Sequence, residues 1–391
     1  TMEKCHMASG SDVTVQGTGT LVVDVGINLN ITGTMDVTTG ATLNISTGGL
    51  TLIADATGAG RRGNITGTIT GTNLTVQSFL TSAATWRILA SQVQGQTIAN
   101  WDDEIYTSGF SGSDGSTNDN FVSMWTYDES VVGIVDSGYV APSSTGDALT
   151  VGHGFMTWVQ QGGDQVLSVN GAPNTGSVII QTPCRNGCGT DDGWNLVGNP
   201  FTSSIDYTSS AILGKKGISD GPYVISSGGG YVGATVIAAG QGFWVKGKTV
   251  LSKLTVGQNA KTASSPSTAY FKTTTDALRL QVSSSMNSFW DEAHISIDDT
   301  STLNYDVGLD NLKLFSPNPM QVPSVSILST DLVDLYNQKI PSIEVGETVD
   351  IPVRVTVGIS GTYTIDIEGF DNVYTNDDVV LEDLLTGNLT Y

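Results

Sequence analysis

Apolar and polar residues alternate along most of the chain, and helical spacing is nearly absent. Between Asp12 and Leu80, short alternating runs such as Leu21, Val23, Val25 and Leu43, Ile45 are punctuated by Gly and Asn. This is the period-2 signature of half-buried strands joined by tight turns. A loose repeat accompanies it: Leu29-Asn30-Ile31-Thr32-Gly33 recurs as Leu43-Asn44-Ile45-Ser46-Thr47-Gly48, and Gly33-Thr34-Met35 echoes Gly17-Thr18 and Gly67-Thr68-Ile69. The repeat predicts a few β-solenoid coils over 12–80, with a meander of hairpins as the alternative that fits the same pattern.

The next region, 81–262, reads as a degenerate internal duplication. Trp86-Arg87-Ile88-Leu89-Ala90 matches Trp194-Asn195-Leu196-Val197-Gly198, and Gly152-His153-Gly154-Phe155-Met156 matches Gly240-Gln241-Gly242-Phe243-Trp244. A Tyr-bearing strand lies within each copy, Met124-Trp125-Thr126-Tyr127 in the first and Pro222-Tyr223-Val224-Ile225 in the second. Each copy predicts a set of antiparallel strands, and the two sets predict a sandwich with an aromatic core. A Ser/Ala/Thr/Pro linker follows Lys261, after which Ala277 to Val282, Ala293 to Ile297, Asp350 to Val357 and Tyr363 to Ile367 predict a second sandwich, jelly-roll or immunoglobulin-like, over 263–391. The first residues, 1–11, read as a tag or disordered lead, with His6-Met7-Ala8-Ser9 resembling a cloning scar. The fold class is therefore all-β: solenoid-like repeats followed by antiparallel β-sandwich domains.

Composition sharpens this picture. Gly at 47 of 391 residues and only 14% charged residues describe a turn-rich, weakly charged chain. The formal charge of −22 disfavours nucleic acid and anionic membrane surfaces as partners. No apolar run reaches the roughly 20 residues of a membrane span, so membrane insertion is not expected. Cys184 and Cys188 flank a short Gly-containing loop. With Cys5 the only other cysteine and no nearby His, zinc is disfavoured, and a disulfide is preferred over free thiols, consistent with an extracellular compartment.

Three familiar patterns lack the context their chemistry needs. Gly242 to Thr249 fits the phosphate-loop spacing but reads as a strand, Gly58 to Gly63 fits G-x-G-x-x-G without a following helix, and Gly217 to Gly221 fits G-x-S-x-G before a strand rather than a helix. His153 and His294 are the only histidines outside the lead, and both read as structural. With 38 acidic residues the sequence selects no glycosidase pair. No catalytic or cofactor-binding residue is assigned, and the chain is expected not to be an enzyme. Calcium is the more credible inorganic partner, with Asp291, Glu292, Asp306 and Asp310 as candidate ligands and Asp114, Asn118 and Asp119 as a second acidic loop. Asn-x-Thr/Ser triplets at Asn30, Asn44, Asn64, Asn73 and Asn388 read as turn residues beside strand-forming Thr.

Trp194-Asn195-Leu196-Val197-Gly198-Asn199-Pro200-Phe201, followed by Gly240-Gln241-Gly242-Phe243-Trp244-Val245, resembles a segment common in large secreted and cell-surface proteins of Bacteroidetes. Phe79 through Gln96, Asp291 to Ile295 and Tyr305 to Leu314 are similar to those proteins as well, so the likeness runs over about residues 65 to 391. The resemblance implies export by a type IX secretion route, although the C-terminal sorting domain of such cargo does not appear before Tyr391, which suits an excised piece of a longer protein. The expected function is a non-catalytic extracellular module of a bacterial surface protein: stalk, adhesin or filament segment. Its partners would be other surface proteins or further copies of itself. The alternative is a carbohydrate-binding or accessory region of a secreted glycan-degrading enzyme, which Trp101, Trp125, Tyr139 or Trp290 on the surface would favour and a row of two or three exposed coplanar rings would mark. A self-contained glycosidase is a third reading and requires two carboxylates across an open groove.

Overall fold

Strands β1 (Val13–Val15), β2 (Thr20–Val22) and β3 (Asn28–Ile31) make the first turn of a parallel coil, and β4 (Thr34–Val37), β5 (Thr42–Asn44) and β6 (Gly49–Leu52) make the second. A hairpin of β7 (Ala54–Asp55) and β8 (Gly58–Ala59) intervenes before the third turn, β9 (Arg61–Ile65), β10 (Thr68–Thr70) and β11 (Leu74–Leu80). The structure, a computed structural model, describes residues 12–55, 58–80, 85–115, 121–133, 135–159, 164–185, 188–189, 192–225, 231–263, 277–287, 289–306, 309–313, 315–316, 319–343, 347–369 and 379–390. Within the coil every turn-to-turn pairing is parallel. Equivalent aliphatics therefore stack: Leu21 on Leu43 on Ile69, and Leu29 on Leu50 on Leu74. The solenoid reading holds over the meander, because a meander of hairpins would pair its strands antiparallel, whereas successive turns here pair in parallel. Asn residues secure the corners, Asn73 donating to the Gly48 carbonyl at 2.6 Å and Asn44 accepting from the Ser46 amide at 2.9 Å.

Two compact units divide the chain, Thr1–Ile225 with Ala234–Ser267 and Ser226–Gly233 with Thr268–Tyr391. The stretches 12–80 and 81–262, read as separate domains, thus share the first unit except at 226–233. There the coil is followed by β12 (Thr85–Ala90), the short helix α1 (Ala99–Asp102), β13 (Met124–Tyr127), β14 (Tyr139–Val140), β15 (Gly154–Val159) and β16 (Gln165–Asn170). β16 pairs antiparallel with β11, Phe79 opposite Val166, and extends the coil's third sheet with a strand of opposite direction. Next come β17 (Val178–Gln181), β18 (Trp194–Gly198), β19 (Ile205–Asp206), β20 (Ile212–Leu213) and β21 (Ile218–Ile225). β22 (Tyr231–Gly233) belongs to the second unit, and β23 (Val236–Ile237), β24 (Gly242–Gly247) and β25 (Lys253–Val256) complete the first.

The internal duplication is visible in the register. β12 pairs antiparallel with β15, Ala90 opposite Gly154, and β18 pairs antiparallel with β24, Gly198 opposite Gly242. β13 and β21 add the third strand of each set. The sets do not meet through side chains alone, as in the expected sandwich. The Ala90 amide donates to the Gly240 carbonyl and the Gly198 amide to the Gly152 carbonyl, each at 2.8 Å, so equivalent positions of the two copies bond reciprocally.

In the second unit β26 (Leu278–Ser284), β27 (Trp290–Ile297), β28 (Asn311–Leu312), β29 (Ser324–Leu328), β30 (Asp334–Ile340), β31 (Val353–Thr356) and β32 (Tyr363–Glu368) form one curled sheet, with a separate hairpin of β33 (Leu381–Asp383) and β34 (Asn388–Thr390). β22 pairs with β28. The sheet folds over at β30: its first residues pair with β29, while His294 to Ile297 of β27 pair with Asn337 to Ile340. That second pairing is parallel, where an antiparallel sandwich was expected. Val325 and Ile327 then close on Leu280, Val282, Ala293 and Ile295 to make the core.

Candidate functional site

Alternation on β27 sends Ala293 and Ile295 into the core and leaves Glu292 and His294 together on the other face. Cross-strand register sets Arg279 of β26 opposite His294 and places β30 on the far side. Glu292 becomes the hub. One carboxylate oxygen accepts from Arg279 Nε at 2.6 Å, and the other accepts from Tyr336 Oη at 2.9 Å and lies 3.3 Å from His294 Nε2. The imidazole stacks on the Tyr336 ring with centroids 5.0 Å apart. Beside it the Lys313 ammonium, almost fully buried, pairs with Asp291 at 2.7 Å, donates to the Glu292 carbonyl and lies 5.4 Å from the Tyr336 ring centre.

The electrostatics follow from these partners. Burial acts to raise the Glu292 pKa, but the His294 hydrogen bond and charge, with those of Arg279, override it and hold the carboxyl at about 2. Burial, reinforced by the Glu292 charge, pushes the Tyr336 phenol well above its ordinary value. At neutral pH the carboxylate is ionised with both oxygens engaged, and the phenol keeps its proton. Such an arrangement ties β26, β27 and β30 together through side chains.

The four proposed calcium ligands are not gathered into one centre. Asp291 and Glu292 are neutralised by Lys313 and Arg279, whereas Asp310 accepts from the Asp306 amide at 2.8 Å and the Lys339 amide at 2.7 Å, and the Asp306 carboxylate accepts from Thr302. The reason is local: cationic neighbours and loop amides satisfy each carboxylate where it stands. Among the described residues no group of three or more His, Cys, Asp or Glu side chains is placed to hold a metal ion. In the second acidic loop, Asn118 and Asp119 lie outside the described residues, while burial and the nearby Asp102 raise the Asp114 pKa.

The remaining motifs lie in strands and turns. Gly242–Gly247 is strand β24, and Ser219 on β21 donates to the Lys246 carbonyl at 3.0 Å. His153 is exposed and bridges Val197 through its backbone. Cys184 and Cys188 are disulfide-bonded, and the segment after Cys184 is held by Glu129, which accepts from the amides of Arg185 and Gly193, each at 2.8 Å. The Arg185 guanidinium returns to Asp192 at 2.8 Å and to the Gly133 carbonyl at 2.9 Å. Nothing in the sequence near Glu129 announces this clamp, because its partners lie more than fifty residues away.

Of the proposed sugar-stacking rings, Trp101 is buried against Phe155, and Trp290 is 43% exposed with Arg279 over its face. Trp125 and Tyr139 are half-buried and belong to a continuous aromatic cluster with Tyr127, Trp244, Trp194 and Tyr223. Its rings meet at interplanar angles of 51° to 90°, edge to face rather than coplanar. Compared with protein-family models, with curated proteins and with solved structures, the chain matches none.

Proposed function

We propose that the chain is a non-catalytic extracellular module of a bacterial surface protein, a stalk, adhesin or filament segment exported by a type IX-like route. The observation that carries this reading is the junction at β11, where the stacked coil passes directly into an antiparallel strand, β16, through backbone hydrogen bonds. A coil bonded in this way transmits tension along its ladder instead of through a loose linker. The engagement of Glu292, His294 and Tyr336 with one another across strands supports a structural role for this cluster. Export is supported by the Cys184–Cys188 disulfide and by the sequence resemblance.

A carbohydrate-binding accessory role is the second reading, favoured by the half-exposed aromatic cluster around Trp125 and Tyr139. It ranks below the first because the rings lack a common face on which a sugar chain could lie. The test is single-molecule pulling between residues 12 and 262, combined with a glycan array and a panel of polysaccharide and peptide substrates. A single cooperative rupture releasing the coil and β16 together, with no turnover and no saturable glycan binding, is the expected result. Turnover of any substrate would overturn the reading, and saturable glycan binding lost on Trp125→Ala would replace it with the second.

A further inference from the structure

The coil's inward ladder of Val13 and Met35 ends at an arginine, because Met35 pairs with Arg62 in the third turn. Arg62 is 2% exposed, and its Nε has no hydrogen-bond partner. The segment Phe201–Ile205 runs past it: the Arg62 amide donates to the Thr202 carbonyl at 3.4 Å, and Ser203 Oγ donates to the Arg62 carbonyl. On the other flank of the same segment, Thr262 donates to the Ser204 carbonyl at 2.9 Å and Lys261 bridges Ile205. The Lys261 ammonium rests 5.2 Å from the centre of the Phe201 ring.

One five-residue segment, Phe201–Ile205, is therefore touched both by the buried Arg62 and by Lys261, in a chain of charge −22. No ion pair joins Arg62 or Lys261 to a carboxylate among the described residues. Burial, then the charges of Arg62 and Arg61, lower the Lys261 pKa to about 7, and Asp36 opposes them only as the smallest influence. Burial alone lowers the Arg62 pKa to about 10. Two desolvated cations with no ion-pair partner are costly, and a compact anion that reaches both would lower the cost of each.

We propose that Arg62 and Lys261, with Arg61 at the margin, form a binding site for a small tetrahedral oxyanion of the sulfate or phosphate class. Arg62 supplies the unsatisfied Nε–H for a directed hydrogen bond, and Lys261 supplies a charge that completes the site when protonated. Anion binding is therefore linked to proton uptake by the Lys261 amine. The groups governing this linkage are Arg62, Arg61 and Asp36 from the coil, with the Phe201 ring as the apolar wall.

The test uses sulfate, which does not titrate near neutrality, against sodium chloride at equal ionic strength. The full chain should bind sulfate saturably by calorimetry at pH 6, and affinity should fall by up to about tenfold per pH unit above the amine's titration. Lys261→Met should weaken binding at least about tenfold at pH 6 and abolish the pH dependence. Arg62→Gln should do the same to affinity. Should that variant not fold, the wild-type chain carries the test through acetylation of Lys261, followed by peptide mass spectrometry, which saturating sulfate should slow several-fold. Non-saturable stabilisation by sulfate that is identical in wild type and Lys261→Met would overturn the proposal, as would acetylation indifferent to sulfate.

Discussion

The position a Cβ would occupy on Gly242 lies 3.1 Å from the Cα of Gly154, and these two glycines hold equivalent places in the two copies of the duplication. The contact explains why each copy carries glycine where its strands cross. An added methyl at 242 would stand 2.2 Å from Ile88 Cγ2, and one at 198 would stand 2.5 Å from the His153 carbonyl oxygen. Since the second obstruction is backbone, Gly198→Ala should destabilise the first unit by about 1–3 kcal/mol. Urea unfolding followed by Trp fluorescence would read it. An unchanged midpoint would mean that the copies are not held together at this crossing.

Leu43 occupies the middle of a ladder, with Leu21 on one side and Ile69 on the other, and is fully buried. Leu21, in the first turn, is only half-buried. Truncating Leu43 to Ala should therefore cost about 2–5 kcal/mol, and truncating Leu21 distinctly less. Equal costs in urea titrations would show that the turns do not depend on their neighbours for burial.

The coil was legible because its strands are short, alternating and separated by Gly and Asn at nearly constant intervals, all local signals. The duplication was legible because Trp86 and Trp194 each begin a matching run that ends where a strand crosses. The pairing of β11 with β16 was not, since Phe79 and Val166 are separated by a long, dissimilar stretch and nothing in either strand specifies the other. The same holds for the charge clusters. Asp291, Glu292, Asp306 and Asp310 looked like a ligand set because acids close in sequence invite a cation, but Lys313 and Arg279 reach Asp291 and Glu292 through the sheet register. In the sequence Arg62 stands only within a glycine pattern, and the segment packed against it is more than a hundred residues away.

Glu129 is buried and accepts from two amides of the segment that carries the disulfide, Arg185 and Gly193. Glu129→Ala would leave both donors without a partner, at about 1–3 kcal/mol for each buried group. Removing the disulfide itself should cost about 2 kcal/mol, because the ring it closes is short and constrains few unfolded conformations. Thermal unfolding of Glu129→Ala and of the Cys184→Ser, Cys188→Ser double variant should thus rank the carboxylate as at least the equal of the disulfide. A double variant far less stable than Glu129→Ala would reverse that order and make the covalent link the main restraint on the loop.

Glu292 should govern the acid limb of the second unit's stability. Its folded-state pKa of about 2 lies below the ordinary 4.5, so its contribution is fully present above the ordinary value and is lost as pH falls through that interval. The cause is specific: burial alone would act in the opposite direction, and the His294 and Arg279 contacts reverse it. Glu292→Gln should lower stability at pH 7 while flattening its dependence between about 4.5 and 2. Tyr336→Phe, which removes one donor to the same carboxylate, should cost a smaller amount of about 0.5–1.5 kcal/mol and leave most of the slope. Both are measured by chemical unfolding at a series of pH values. An acid limb as steep in Glu292→Gln as in the wild type would assign the acid sensitivity to other carboxylates. Asp298, paired with Lys339 and also held at about 2, would be the first of these to substitute.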